Sequence, residues 1–283
     1  MGYFDFKIEN KRGVLDIAHN DRYTILSIEG LSPPTAAIST ATNANMDGST
    51  FVTSKVENRN IVINLAIEGN VEQNRIELYK FFKVKYPCKV MYKNGTRDVY
   101  INGHVETFDC NFFEAKEVAT ISIICTRPYF IEAGNIDFDF ASVQSLFEFP
   151  FSLPAAGEPF SELILGEEKN VINYGDVETG MVVKFTAAGA CENPAIYNTE
   201  TNEGIKVNIS LEAGDILEIN TNKGEKGVYL NRNGTITNKI NALDKTSTWL
   251  QLEAGDNSML YTADANPENL MCNLIYGSLF EGV

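Results

Sequence analysis

Acid–base chemistry most often leans on histidine, and this chain has two, His19 in AHND and His104 in NGHVE. Neither lies beside a GxSxG elbow or a cysteine in a nucleophile setting, so each reads as a loop or strand residue. The five cysteines, Cys88, Cys110, Cys125, Cys191 and Cys272, include no CxxC pair. Such spacing builds neither a zinc site nor a disulfide framework, and free, mostly buried thiols made in a reducing cytoplasm are expected. The chain also lacks a phosphate-cradling GxxxxGKS/T, a GxGxxG that opens a helix, and an HExxH. Carboxylates are plentiful enough for a glycosidase pair, but their separation is a three-dimensional quantity and abundance argues nothing. No catalytic, metal-ligating or cofactor-binding residue is assigned. The expectation is a protein that is not an enzyme.

Two further features could do chemistry of a binding kind. LEAGD occurs at 211–215 and again at 252–256, as a repeat, a pair of acidic ligand loops, or one turn used twice. The flanking sequences do not repeat, and each copy joins two alternating segments, which favours the turn. Gly214 and Gly255 would supply its geometry and Asp215 and Asp256 would bond backbone amides, with calcium binding by either Asp as the lesser alternative. The single tryptophan, Trp249, lies on the opposite face of its strand from Leu250 and Leu252. With Tyr229 and Tyr261 it is a candidate glycan or partner contact, unless a segment such as 145–161 covers it.

The elements that must position these residues are mainly strands. Phe4, Phe6 and Ile8 alternate with polar neighbours, and RYTILSIEG (22–30) and NIVINLAIEG (60–69) behave alike. The polar, Pro- and Gly-marked stretch 32–50 reads as a long loop or flap. One amphipathic helix is expected over 70–86, capped by Asn70 with Gln73 and stopped by Pro87. A hairpin follows at 89–103, its Asn94-Gly95 tip read as a type I′ turn. Pro150, Pro154 and Pro159 mark 145–161 as an extended arm. From about 170 onward, short strands separated by Gly, Asn and Asp turns, including an Asn233-Gly234 hairpin, indicate a β-sandwich or jelly roll.

Charge divides the chain as well. Residues 1–130 hold 15 Lys and Arg against 15 Asp and Glu, whereas residues 131–283 hold 8 against 23, so the whole net charge of −15 lies in the second part. Two domains, 1–130 and 131–283, are expected to face different surroundings. An acidic surface repels nucleic acid and anionic lipid, which argues against sequence-specific nucleic-acid binding and against a membrane partner. The N-terminus has no apolar signal core and no run approaches the ~20 residues of a membrane span, so a soluble chain without an export address is expected.

Taken in order, several stretches resemble one family. They are GLSPP, NRNIVINLAIEG, the KNG hairpin and CTRPYF, then FEFPFSLPAAGEPFSE, VINYGDVETGMVVKF, ENPAIYNTETNEGI and LDKTSTWLQLEAGDNSMLY. The chain is similar to the distal tail proteins of siphovirus-type phages nearly end to end, most specifically over 172–261. The resemblance implies an N-terminal β-sandwich belt domain carrying the helix and hairpin, followed by a C-terminal galectin-like β-sandwich. It implies a homohexameric ring that joins the tail tube to the hub around the DNA-exit channel and anchors receptor-binding proteins. It also implies assembly in the host cytoplasm and residence at the virion's tail tip. The alternative function is a carbohydrate-binding module that grips cell-wall polysaccharide through 131–283. No large insertion of the kind that adds such a module in some members is present, so direct receptor recognition by this chain is not expected.

Overall fold

The alternation at the N-terminus folds as β1 (Asp5–Asn10), whose Phe6 and Ile8 are wholly buried. It belongs to a computed structural model that describes residues 4–42, 47–111, 116–140, 142–145, 161–164 and 168–283. The chain divides into two units, one of residues 1–133 with 279–283 and one of residues 134–278.

In the first unit β1 is followed by β2 (Gly13–Asp16), β3 (Tyr23–Glu29), β4 (Ala36–Ala41), β5 (Thr50–Val56) and β6 (Arg59–Ile67). Helix α1 (Val71–Phe81) then leads to β7 (Pro87–Lys93), β8 (Asp98–Cys110), β9 (Val118–Cys125) and β10 (Phe130–Glu132). The main sheet runs β2-β1-β7-β8-β9-β6-β3, antiparallel throughout. Strand β8 pairs β7 over Asp98–His104 and β9 over His104–Cys110, with a bulge between Val105 and Thr107. A bulge bends its strand, so β8 turns the corner between two half-sheets. Both halves feed one core, with Phe6, Val90 and Ile101 from one and Ile61, Leu65 and Ile121 from the other.

Helix α1 begins where the cap predicts, with the Gln73 N–H donating to Asn70 Oδ1 at 3.4 Å. It ends well before Pro87, unlike the expected 70–86 span. Beyond Phe82, Lys85 takes φ +70°, and Val105 exchanges backbone hydrogen bonds with Lys85 and Tyr86. These strand-like partners compete with another helical turn and win. The β7–β8 hairpin also forms, but its tip is not the expected type I′ turn, because neither Asn94 nor Gly95 has positive φ. Asn94 Oδ1 instead accepts the N–H groups of Thr96 and Arg97 at 2.9 and 2.8 Å, and this side-chain cap closes a longer loop. At Asn233-Gly234, by contrast, both residues have positive φ (51° and 81°), as a type I′ tip requires.

Where a loop was expected over 32–50, β4 pairs with β5 as a separate two-stranded ribbon. Its positions are exposed almost throughout, so neither face needed the apolar alternation that announces a half-buried strand.

The second unit contains β11 (Ile136–Asp139), β12 (Ser142–Ser145), β13 (Ser161–Ile164), β14 (Lys169–Asn173), β15 (Met181–Ala187), β16 (Cys191–Glu192) and β17 (Ala195–Asn198). It continues with β18 (Glu203–Lys206), β19 (Ser210–Leu211), β20 (Ile216–Asn220), β21 (Gly227–Arg232), β22 (Thr235–Asn238), β23 (Gly255–Thr262) and β24 (Leu270–Tyr276). A six-stranded sheet, β11-β24-β15-β20-β21-β22, faces a four-stranded one, β14-β23-β17-β18. Val183, Phe185, Leu217, Ile219 and Leu274 of the first meet Val171, Ile196, Ile205, Met259 and Tyr261 of the second in one core. This is a β-sandwich. The arm expected at 145–161 falls on residues outside those described.

After β24 the chain returns to the first unit, where β25 (Leu279–Phe280) pairs with β10. The expected second domain, 131–283, includes these C-terminal residues, because a two-residue strand carries no readable period. By units, the first holds 15 Lys and Arg against 17 Asp and Glu, and the second 8 against 21. Their net charges are −2 and −13.

Candidate assembly interface

The ribbon presents an apolar face that its own protomer leaves bare. Ser39 pairs with Thr53 but Thr40 pairs with Phe51, so Val52 is an extra residue and two positions oppose one. Such a bulge brings Phe51 and Val52 to the side of the ribbon occupied by Thr40 and Ile38. The three large residues Ile38, Phe51 and Val52 are 65%, 62% and 59% exposed. No charged residue lies on that face within the paired strands; Lys55 pairs with Ala37 on the other. An isolated two-stranded ribbon is only marginally stable in water, and among the described residues no further strand pairs with either outer edge of this one.

A second exposed patch lies on α1 and the turn after it. The helix covers the core with Leu78 and the adjoining Phe82, and Asn74 is buried because its amide donates to the Glu68 carbonyl at 2.7 Å. Its outer surface carries Ile76 and Tyr79, three residues apart and therefore neighbours, and the turn adds Val84 and Tyr86. Tyr79 meets Phe108 edge-on at 4.9 Å, which fixes its ring.

Elsewhere in the first unit a buried cation ties several segments together. Arg59, 3% exposed, donates through Nε to the Pro128 carbonyl (2.6 Å) and through Nη1 to those of Gly30 (2.5 Å) and Ser32 (2.6 Å). Its Nη2 reaches the Glu281 carbonyl at 2.5 Å, and the guanidinium lies 4.6 Å from the Phe130 ring centroid. Burial pushes its pKa down, yet an arginine keeps its proton, and four carbonyl dipoles solvate the charge in place of water. The clasp joins three separate backbone segments to the C-terminal residues. Nothing in the local sequence of Arg59 announces it, because its partners are main-chain atoms up to 222 positions away.

In the second unit the two LEAGD turns differ. Both glycines have positive φ, +88° at Gly214 and +94° at Gly255. Asp215, 2% exposed, accepts the Glu212 N–H at 2.9 Å and is gripped by Arg232, whose Nε lies 3.0 Å from each carboxylate oxygen. At the second turn Asn257 does this work, accepting the Glu253 N–H at 2.9 Å, while Asp256 faces outward and accepts from Asn170. Only one of the two aspartates is therefore a turn cap. Among the described residues no cluster of His, Cys, Asp or Glu is arranged to hold a metal.

Hydrogen bonds from Arg232 hold the Asp215 carboxyl below the usual range. A depressed carboxylate pKa contributes stability that is present above the unfolded value and is lost as pH falls through the folded one. Asp215→Ala is expected to cost the second unit about 2 kcal/mol at neutral pH, since it removes the acceptor of the Glu212 N–H and a buried carboxylate that Arg232 grips. It also flattens the acid side of that unit's stability profile below about pH 4. Urea unfolding at pH 7 and pH 3 measures both effects.

The candidate contact residues do not form one surface. Tyr261 is 2% exposed, its ring edge-on to Phe140 at 5.3 Å inside the sandwich. Its apolar alternation with Met259 is a core signal. Tyr229 is 37% exposed on β21, and Trp249 is half-buried against the core with Lys226 Nζ 5.4 Å from its ring centroid. The histidines are peripheral: His19 Nδ1 is 3.5 Å from Asp16, and His104 is exposed opposite Pro87. All five thiols are free. Burial pushes Cys88 up to about 12 and Cys125 up to about 11, and Cys191 and Cys272 also rise by burial. A thiol reagent at pH 8 is expected to label at most the half-buried Cys110 in the native protein and all five in denaturant. Stoichiometric thiol titration checks it.

Comparison with known proteins gives a consistent result. Residues 14–125 match the family model described as phage tail protein RIFT-related domain, and residues 174–277 match siphovirus-type tail component, C-terminal domain. No curated protein is similar enough in sequence to match. Among solved structures, the Dit protein (gp 19.1) of phage SPP1 superposes with a TM-score of 0.72 at 12% identity, covering 98% of this chain and 99% of that one. That structure is described as a paradigm of the hub adsorption apparatus in phages infecting Gram-positive hosts. A chain of the phage P2 baseplate in its activated conformation, with Ca or with Sr, gives TM-scores of 0.50 and 0.51 at 14% identity, covering 97% of this chain and 98% of that one.

Proposed function

Because the chain belongs to the siphovirus-type tail component family, the phage distal tail proteins, we propose that it closes into a hexameric ring at the tail tip. It is a structural part of the phage tail and not an enzyme. In this reading the ring joins the tail tube to the hub around the DNA-exit channel and gives receptor-binding proteins a place to dock. The first unit is the belt that meets its own copies, and the second is a galectin-like sandwich held outward.

The observation that carries this reading is the separation of charge between the units. Six copies of a unit near neutrality pack together with little repulsion, whereas six units of −13 lower their energy by standing apart in solvent. A closed ring also covers free sheet edges, which are liabilities on an isolated protomer. The test is light scattering with negative-stain imaging, alone and with tube protein. Six-fold rings are expected, and a monomer under every condition overturns the reading. The glycan alternative now rests on Trp249 and Tyr229; unchanged cell adsorption by Trp249→Ala would remove it.

A further inference from the structure

We propose that residues 279–283 are a closing strap: the first unit completes its fold, and becomes competent for the ring, only once the chain has run through the whole second unit. The ring half of this statement rests on the proposed function; the closure itself does not. The first unit is discontinuous, with 1–133 and 279–283 standing on either side of residues 134–278. A chain made from its N-terminus at ~5–20 residues per second spends on the order of 10 s on that interval. Throughout it the first unit lacks β25.

The strap supplies core cover and the last partner of a buried charge. Leu279 and Phe280 pair with Ile131 and Phe130 on one edge of β10, whose other edge is held by Tyr100 and Val99 of β8. Phe280 is 6% exposed within the first unit's core, and the Arg97 guanidinium lies 3.7 Å from its ring centroid. Beyond it the Val283 N–H donates to the Leu31 carbonyl at 3.2 Å. Three of the carbonyls around Arg59, those of Gly30, Ser32 and Pro128, belong to 1–133, and the fourth is that of Glu281. Without the strap the apolar face at Phe130 stands open and a buried cation is one acceptor short. A desolvated charge short of partners draws in water, which loosens the segments around it. Cys125 marks that place, because it sits opposite Arg59 in the β6–β9 pairing and is wholly buried. A subunit that entered a ring before its second unit existed would leave a gap among the outer sandwiches. The discontinuous fold excludes such a subunit.

The test compares the full chain with a chain ending at Ser278. Trp249, the single tryptophan, reports on the second unit. Thiol labelling of Cys88 and Cys125 at pH 8, read by peptide mass mapping, reports on the first, whose core holds both. The shortened chain is expected to keep native tryptophan emission while both thiols label about 100-fold faster. It is also expected to form no rings with tube protein. A synthetic peptide of residues 278–283 at millimolar concentration restores part of the protection, since tethering of this kind supplies millimolar effective concentrations. Phe280→Ala in the full chain keeps the strap's backbone bonds and removes its ring, for a rise of about 10-fold, and it carries the test if the shortened chain is insoluble. Unchanged Cys125 labelling in the variants, or rings from the shortened chain at wild-type concentration, would overturn the inference. Loss of native tryptophan emission together with thiol protection would overturn it too, since both units would then need the segment. A full chain that never forms rings sinks the ring reading and leaves the strap to be judged by the thiols alone.

Discussion

Arg59→Met lowers the stability of the first unit by about 3 kcal/mol, the largest loss expected from any side chain discussed above. The figure weighs two opposed terms. Methionine fills much of the space beside Phe130 and removes a charge that was costly to desolvate. Against that, four carbonyls at 2.5–2.6 Å from the guanidinium lose their donor at once, each costing on the order of 1 kcal/mol even when water replaces part of the bond. For a unit of this size the change corresponds to a fall of roughly 10 °C in Tm. Arg59→Lys should recover only part, because an ammonium cannot reach donors in three directions from one fixed plane. Differential scanning calorimetry resolves the outcome. A loss confined to the second unit's transition, or none at all, would contradict the role assigned to the clasp.

Gly30→Ala is the second large effect, and it acts through the same place. Gly30 has φ +83°, which disfavours a side chain, and an added Cβ would stand 2.1 Å from the Asn60 carbonyl oxygen. That obstacle is backbone in β6, immediately after Arg59, so it cannot swing aside. Positive φ alone costs about 1 kcal/mol, and relieving the overlap must move either the 30–32 loop or the strand, for a total near 3 kcal/mol. Either displacement also lengthens the Gly30 contact to Arg59. The double variant with Arg59→Met should therefore be less destabilised than the two losses added together, because both act on one network. Urea unfolding of the single and double variants measures that coupling; strict additivity would mean that the two residues act independently.

Much of the architecture was legible because burial writes a period into the sequence. Phe6 and Ile8 of β1, Leu217 and Ile219 of β20, and Leu78 with Phe82 at the helix all face a core, and each keeps the spacing its element demands. The ribbon was missed for the converse reason: it has no buried face to record. The Asn94 tip was misread because two residues named a turn that a third-neighbour side-chain bond overrode. Asp256 was paired with Asp215 on identical local sequence, whereas Arg232 and Asn257, which decide the two roles, lie outside the pentapeptide. Tyr261 was a candidate contact, and its alternation with Met259 is instead the signature of the core position it occupies. The charge asymmetry was readable by counting; its refinement to −2 and −13 required knowing where Leu279–Val283 go.

The chain leaves the first unit at β10 and comes back at β25, with Ile131 directly opposite Leu279. Exit and return are thus cross-strand neighbours, on the order of 5 Å apart. The acidic sandwich is in this sense a cassette, spliced into its host at a single spot. Any folded insert whose two ends lie side by side could take its place without re-threading the host's sheet. One cut at the first junction would still leave the cassette hanging by the second.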